Sequence, residues 1–167
     1  APVLTGRVTG VVDLLDAAAG TASWRERDHL PTLDEEGLFR GLAAYRTVVD
    51  CAAGATLGFA EVRDRAVVLA DGAPVGVLSR AEAVTSLSLP ATHEVTLLVE
   101  DQGRVNYGPR IGEPKGLIGP ALLDGNPLEN WSFLPLAVDE PGWPEAALAA
   151  GPASPDAGRP VLVRAVL

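Results

Sequence analysis

Apolar and polar positions along this chain change over with a short period, and strands are what that period builds. From Glu94 to Val99 the apolar residues Val95, Leu97, Leu98 and Val99 form a run too short for a helix, and half of them are β-branched. That run predicts a buried strand. Residues 38–49 alternate Tyr45, Thr47 and Val49 against Ala44, Arg46 and Val48, which predicts a second strand. Thr56–Val62, Thr85–Leu89 (ended by Pro90), Leu117–Leu123 and the stretch marked by Trp131, Phe133 and Leu136 read the same way. Arg65–Ala70 and Pro74–Leu78 flank Asp71-Gly72, a strong hairpin signal, and a second Asp-Gly pair stands at Asp124-Gly125.

The remaining stretches are less regular. A strand is expected near Leu4–Val12, then a turn over Ala17–Ala22. Residues 23–37 are polar, and Thr32 with Glu35 fits a capping box, so either a short helix or a loop is expected there. Asp139–Pro160 is rich in Pro, Gly and Ala and reads as a linker or a loosely packed excursion, before a final apolar run, PVLVRAVL. Strands recurring about every eight to twelve residues predict an all-β fold, an antiparallel β-sandwich or jelly roll.

Composition narrows the possible functions. The chain has 167 residues, enough for one domain with a real core and a fragment of a second. It carries 13 basic against 22 acidic residues, with Lys115 the only lysine, which argues against a nucleic-acid partner. Cys51 is the single cysteine, so no internal disulfide forms, and the compartment stays unknown. His29 and His93 stand in no ligand-spaced cluster; no metal and no cofactor are expected. No apolar run approaches a membrane span, and no leader pattern opens the chain. The absence of methionine predicts a processed product or an excised piece, and PVLVRAVL reads as a strand cut from its continuation.

Candidate chemistry concentrates in the loop after Glu94–Val99. It carries Gly103, Gly108, Gly112, Gly116 and Gly119, with Arg104, Asn106, Tyr107 and Arg110 between them. Glycine permits sharp bends, so such a loop can present an aromatic face beside amide and guanidinium donors. Those are the elements of a sugar site, while a long surface loop with a packed tyrosine is the plainer alternative. Neither glycine-spaced pattern here has the lysine and hydroxyl of a phosphate-binding loop. No serine sits in a nucleophile elbow, and no catalytic carboxylate pair can be picked out.

The string LLVEDQGRVNYGPRIGEPKGLIG closely resembles the family 35 glycoside hydrolases, the β-galactosidases, in the first accessory β-sandwich after their catalytic barrel. Asp101 stands where asparagine is commoner in that family. Further landmarks fall in order: Tyr45-Arg46-Thr47, Asp64-Arg65-Ala66 with Asp71-Gly72 and Gly76-Val77-Leu78, and Leu128, Trp131, Pro135-Leu136. Arg40 before Gly41 and Pro114 after Glu113 depart from the usual aromatics. The resemblance implies a galactose-binding-domain-like jelly roll over 1–137, then a Pro/Gly-rich linker and a strand like the start of the next sandwich over 138–167. It implies a non-catalytic piece of an enzyme that removes terminal β-linked galactose. In such enzymes two glutamates about 5 Å apart work at the C-terminal face of a TIM barrel. The implied partners are that barrel, a second sandwich domain and, in the intact enzyme, a galactoside. The implied role is to scaffold the barrel and bring Tyr107, with Asn106, Arg104 and Arg110, to the active-site rim. Two other roles stay open: an autonomous carbohydrate-binding module, and a purely structural domain at an interdomain or subunit interface.

Overall fold

A computed structural model describes residues 5–149 and 158–166. The strands are β1 (Arg7–Asp13), β2 (Arg25–Arg27), β3 (Gly41–Cys51), β4 (Thr56–Arg63), β5 (Arg65–Ala70), β6 (Ala73–Ser79), β7 (Ser86–Ser88), β8 (Thr92–Asp101), β9 (Gly116–Leu123), β10 (Asn126–Pro127), β11 (Trp131–Leu136) and β12 (Val161–Val166). Two short helices, α1 (Leu14–Thr21) and α2 (Trp143–Ala149), accompany them. The fold is all-β, as the spacing of apolar runs predicts.

Strand pairing is antiparallel in three sheets: β2-β11-β3-β8-β5-β6, β10-β9-β4-β7, and the separate ribbon β1-β12. The first two enclose the main core. Tyr45, Leu97, Val99 and Phe133 reach into it from one sheet, and Leu57, Phe59, Val62 and Leu117 from the other. Because successive residues of a strand face opposite ways, Ala44, Leu98 and Leu134 lie on the outer face of the six-stranded sheet, beneath Leu14, Leu15 and Ala18 of α1. At the centre, Tyr45 and Phe133 are cross-strand partners in edge-to-face contact, ring centroids 5.1 Å apart. Trp131, Phe133 and Tyr45 are fully buried.

Both Asp-Gly pairs close two-residue hairpins. Asp71 and Gly72 have φ of 44° and 81°, and Asp124 and Gly125 have 49° and 82°, the left-handed pair that such a turn requires.

Local structure departs from these readings, or refines them, in three places. Ala17–Ala22, expected as a turn, lies mostly within α1, because the Asp13 carboxylate accepts hydrogen bonds from the N–H groups of Leu15 and Asp16 and caps a run of good helix formers. The Thr32–Glu35 box does form: Thr32 N–H donates to Glu35 Oε2 and Glu35 N–H to Thr32 Oγ1. It closes only one turn, which ends where Gly37 swings to a φ of 72°. In the expected linker, Trp143–Ala149 is helical and buries Ala147 against Val12 and Ala17; residues 150–157 lie outside the described residues. No helix among the described residues is long and apolar enough to cross a membrane.

Candidate functional site

The glycine-rich loop joins β8 to β9, so both of its ends are fixed by sheet pairing. Arg104 turns inward from it. Its guanidinium donates to the carbonyls of Leu38 and Phe39 at 3.3 Å each and to Asp34 Oδ1 at 2.6 Å, and it sits over the Phe39 ring. One arginine thus clamps the loop onto the Thr32–Phe39 turn. Two of its bonds go to backbone carbonyls, which ties the loop to main chain as well as to a carboxylate. Arg110 turns elsewhere, making loose pairs with Glu61 at 3.5 Å and Glu113 at 3.4 Å. Arg104 and Arg110 share no partner among the described residues. Asn106 is exposed, and Tyr107, at 90% exposure, projects into solvent. The exposed side chains of Phe39 and Ile111 stand on the same two segments.

Beneath the loop lies a charged cluster that pattern-reading passes over. Lys115, 1% exposed, donates through Nζ to both oxygens of Asp64, at 2.9 and 2.7 Å. Asp64 also accepts from Arg80 at 3.2 Å and from the Gln102 N–H at 3.0 Å. Arg80 continues to Glu113, and Glu113 to Arg63 at 3.9 Å. On the other side the Lys115 N–H donates to Asp34 Oδ2 at 2.7 Å, and Asp34 holds Arg104. A continuous chain of charge therefore runs from Arg104 to Arg63 through both ends of the loop.

Asp101 completes the wall. Its Oδ1 takes the Gly103 N–H at 2.9 Å and lies 4.0 Å from Lys115 Nζ. Its buried Oδ2 has Arg104 Nε at 3.3 Å, but that N–H is aimed at the Phe39 carbonyl, so the contact is an ion pair without an aligned hydrogen bond.

The electrostatics favour the charged forms of Asp64, Asp34 and Glu113. Burial pushes the pKa of Asp64 up, yet hydrogen bonds from Lys115, the Gln102 N–H and Arg80 outweigh it, and the carboxyl sits below its ordinary value. Asp34 follows the same balance, with Arg104 and the Lys115 N–H overcoming burial. Glu113 is likewise held low by Arg80 against its burial.

Gly116 explains why a glycine follows the lysine. It has a φ of 104°, and a Cβ there would stand 2.7 Å from the Tyr45 hydroxyl and 3.1 Å from the Leu33 nitrogen. The Tyr45 hydroxyl is packed beside the Leu117 N–H without an aligned hydrogen bond, and burial, aided by the charges of Glu36 and Glu35, raises its pKa well above the usual phenol. The lone lysine inside a glycine-flanked string was the one sequence signal for this cluster.

Chemically, most polar groups of the cluster are taken up by internal partners, which suits holding a loop better than binding a ligand. Among the described residues no group of three or more His, Cys, Asp or Glu side chains could hold a metal.

The profile of the family described as "Beta-galactosidase, first all-beta domain" matches residues 32–137, the segment containing Asp34, Tyr45, Asp64, Arg104, Lys115 and Trp131. A beta-galactosidase of Pongo abelii is 41% identical over 105 residues, 60% of this chain and 16% of that protein. One from Xanthomonas manihotis is 36% identical over 143 residues, covering 75% of this chain and 24% of that protein. Among solved structures, a GH2 beta-galacturonidase from Eisenbergiella tayi overlaps 79% of this chain and 25% of that chain at 15% identity and a TM-score of 0.38, a loose likeness. The chain thus spans between about a sixth and a quarter of the length of these relatives. It belongs to the family of the first all-β domain of β-galactosidases.

Proposed function

We propose that this chain is a non-catalytic β-sandwich of a β-galactosidase of the family 35 kind, and that it scaffolds the catalytic barrel and carries one loop to the rim of the galactoside site. The observation that carries this reading is the contrast within that loop. Arg104, Lys115 and Asp64 fasten its base, whereas Tyr107 stands 90% exposed between them. An aromatic held out on a fixed base has little conformational freedom left to lose when it meets a surface. Its natural use is as a wall for the sugar beyond galactose, the ring face packing on C–H groups, with Asn106 offering amide donors and acceptors at the same edge. Arg104 then serves by positioning, and Arg110 by steadying the far side of the loop through Glu61 and Glu113.

The test is a fluorotyrosine label at position 107 in the intact enzyme. Saturation with a β-linked galactosyl disaccharide shifts its fluorine resonance, while an unmoved resonance rejects the rim role.

A second reading draws on the ribbon β1-β12. Val8, Val161, Val163 and Val166 are exposed on it, and two strands alone are too few for an independent sheet. We infer the division 1–137 for the sandwich, with 138–167 leading into the next one; the ribbon is then an interdomain interface. Hydrogen exchange on the intact enzyme tests it. Slow exchange of the β12 amides is expected, and exchange as fast as in the isolated chain speaks against it.

A further inference from the structure

A cleft of about 190 Å³ opens on the outer face of the six-stranded sheet, alongside α1. It lies away from the glycine loop: Glu94, in its wall, and Asp101, at the loop's base, are seven residues apart on β8, about 23 Å along the strand. The central feature is Arg46 of β3. Its guanidinium is stacked on the indole of Trp24, 4.2 Å from the ring centroid. Its side chain is only 34% exposed, and its one charged neighbour, Glu94, is 3.7 Å away. Among the described residues the Arg46 guanidinium donates no hydrogen bond. A planar fork is therefore held in a fixed orientation, with its N–H edges left over.

The rest of the wall sets the chemistry that the fork can meet. Glu94 and Asp16 supply carboxylate acceptors, and Thr96 supplies a hydroxyl that both donates and accepts. Arg159 also lines the cleft but is bound up with Asp13 and the Gly72 carbonyl, and it lies 3.6 Å from the Asp16 carboxylate, which keeps its remaining lone pairs. Leu15 and Leu69 form an apolar floor. Glu94 beside the Arg46 guanidinium, with Asp13 and Asp16 offsetting Arg159, makes the cleft a poor host for a free anion, which the carboxylates would repel. A neutral ligand with adjacent hydroxyls suits it well: each hydroxyl can accept from Arg46 and donate to a carboxylate, while ring C–H groups rest on the apolar floor and the indole edge.

We infer that this cleft is a saccharide-binding site, for one neutral sugar ring with vicinal hydroxyls, separate from the Tyr107 loop. It goes beyond the rim role and stands or falls independently of it. The site gives the domain an anchoring function, in which it holds a remote part of a glycan chain while chemistry proceeds elsewhere on the enzyme.

The experiment is a heteronuclear NMR titration of the 167-residue chain with D-galactose, and with sodium acetate in parallel. Galactose is expected to give saturable shifts at the Trp24 indole N–H and the Thr96 amide, with acetate silent there. Arg46→Lys keeps the charge and loses the fork, and is expected to weaken binding by about tenfold. Thr96→Val, which removes only the hydroxyl, gives a second reading if the first variant loses its native spectrum. Shifts confined to the Tyr107 loop, an acetate response equal to galactose, unaltered binding in folded variants, or no shift at about 50 mM sugar, where even a millimolar site is saturated, each overturns the proposal.

Discussion

Lys115 Nζ lies 2.7 Å from Oδ2 of Asp64, a residue 51 positions earlier, and the lysine is 1% exposed. The pair joins the start of β9 to the junction of β4 and β5, and through Gln102 and Arg80 it reaches both shoulders of the loop. Removing one partner of such a pair leaves a buried charge without compensation. Asp64→Ala and Lys115→Met are each expected to lower the unfolding free energy by about 3–5 kcal/mol, read from urea denaturation at neutral pH. The double variant Asp64→Ala/Lys115→Met is expected to lose less than the two single losses together; losses that simply add would deny the coupling.

The carboxylates of Asp34, Asp64 and Glu113 all bind protons less readily in the fold than in the open chain. Their contribution to stability is therefore present above the ordinary carboxylate values, about 3.9 for Asp and 4.3 for Glu, and is lost as pH falls through the lower folded values. Thermal midpoints are expected to hold from neutral pH to about pH 5 and then fall with acid. Asp64→Asn is expected to flatten that acid limb. An equally steep limb in the variant would place the titration elsewhere.

Gly116 is expected to tolerate no side chain. Gly116→Ala combines a φ of 104° with a contact of 2.7 Å to the Tyr45 hydroxyl and should cost about 2–3 kcal/mol. Pairing it with Tyr45→Phe removes the hydroxyl but neither the strained backbone nor the 3.1 Å approach of the Leu33 nitrogen, so the rescue is partial. Calorimetry on the three variants reads this directly.

Much of the sandwich was legible because its determinants are local. The period of two along residues 44–49 and the Asp-Gly pairs at 71–72 and 124–125 specify strands and turns from neighbours in sequence. The placement of Tyr107 was not legible, because the loop's residues allow either a presented or a packed ring, and the structure has it 90% exposed. The partners of Arg104 were not legible, since Asp34 and Phe39 stand 70 and 65 positions away. Nor was the burial of Lys115, which depends on a carboxylate from another hairpin. The helix α1 was missed for a local reason: its cap, Asp13, closes a strand and opens the helix at once.

Arg104 governs loop order more than global stability. Arg104→Ala removes the Leu38, Phe39 and Asp34 contacts together, and amides of residues 103–111 are expected to exchange about tenfold faster or more while β8 and β9 stay protected. Tyr107→Ala, which removes an exposed ring, is expected to change stability by less than about 0.5 kcal/mol. Loss of β8 protection in the arginine variant would contradict a local clamp.

The most direct test of the rim role is steady-state kinetics of Tyr107→Ala in the intact β-galactosidase, with a β-linked galactosyl disaccharide and an aryl β-galactoside compared. The account predicts that kcat/KM falls for the disaccharide by about tenfold and changes little for the aryl substrate, as loss of one aromatic wall at the leaving sugar requires. An unchanged ratio between the two substrates would contradict it.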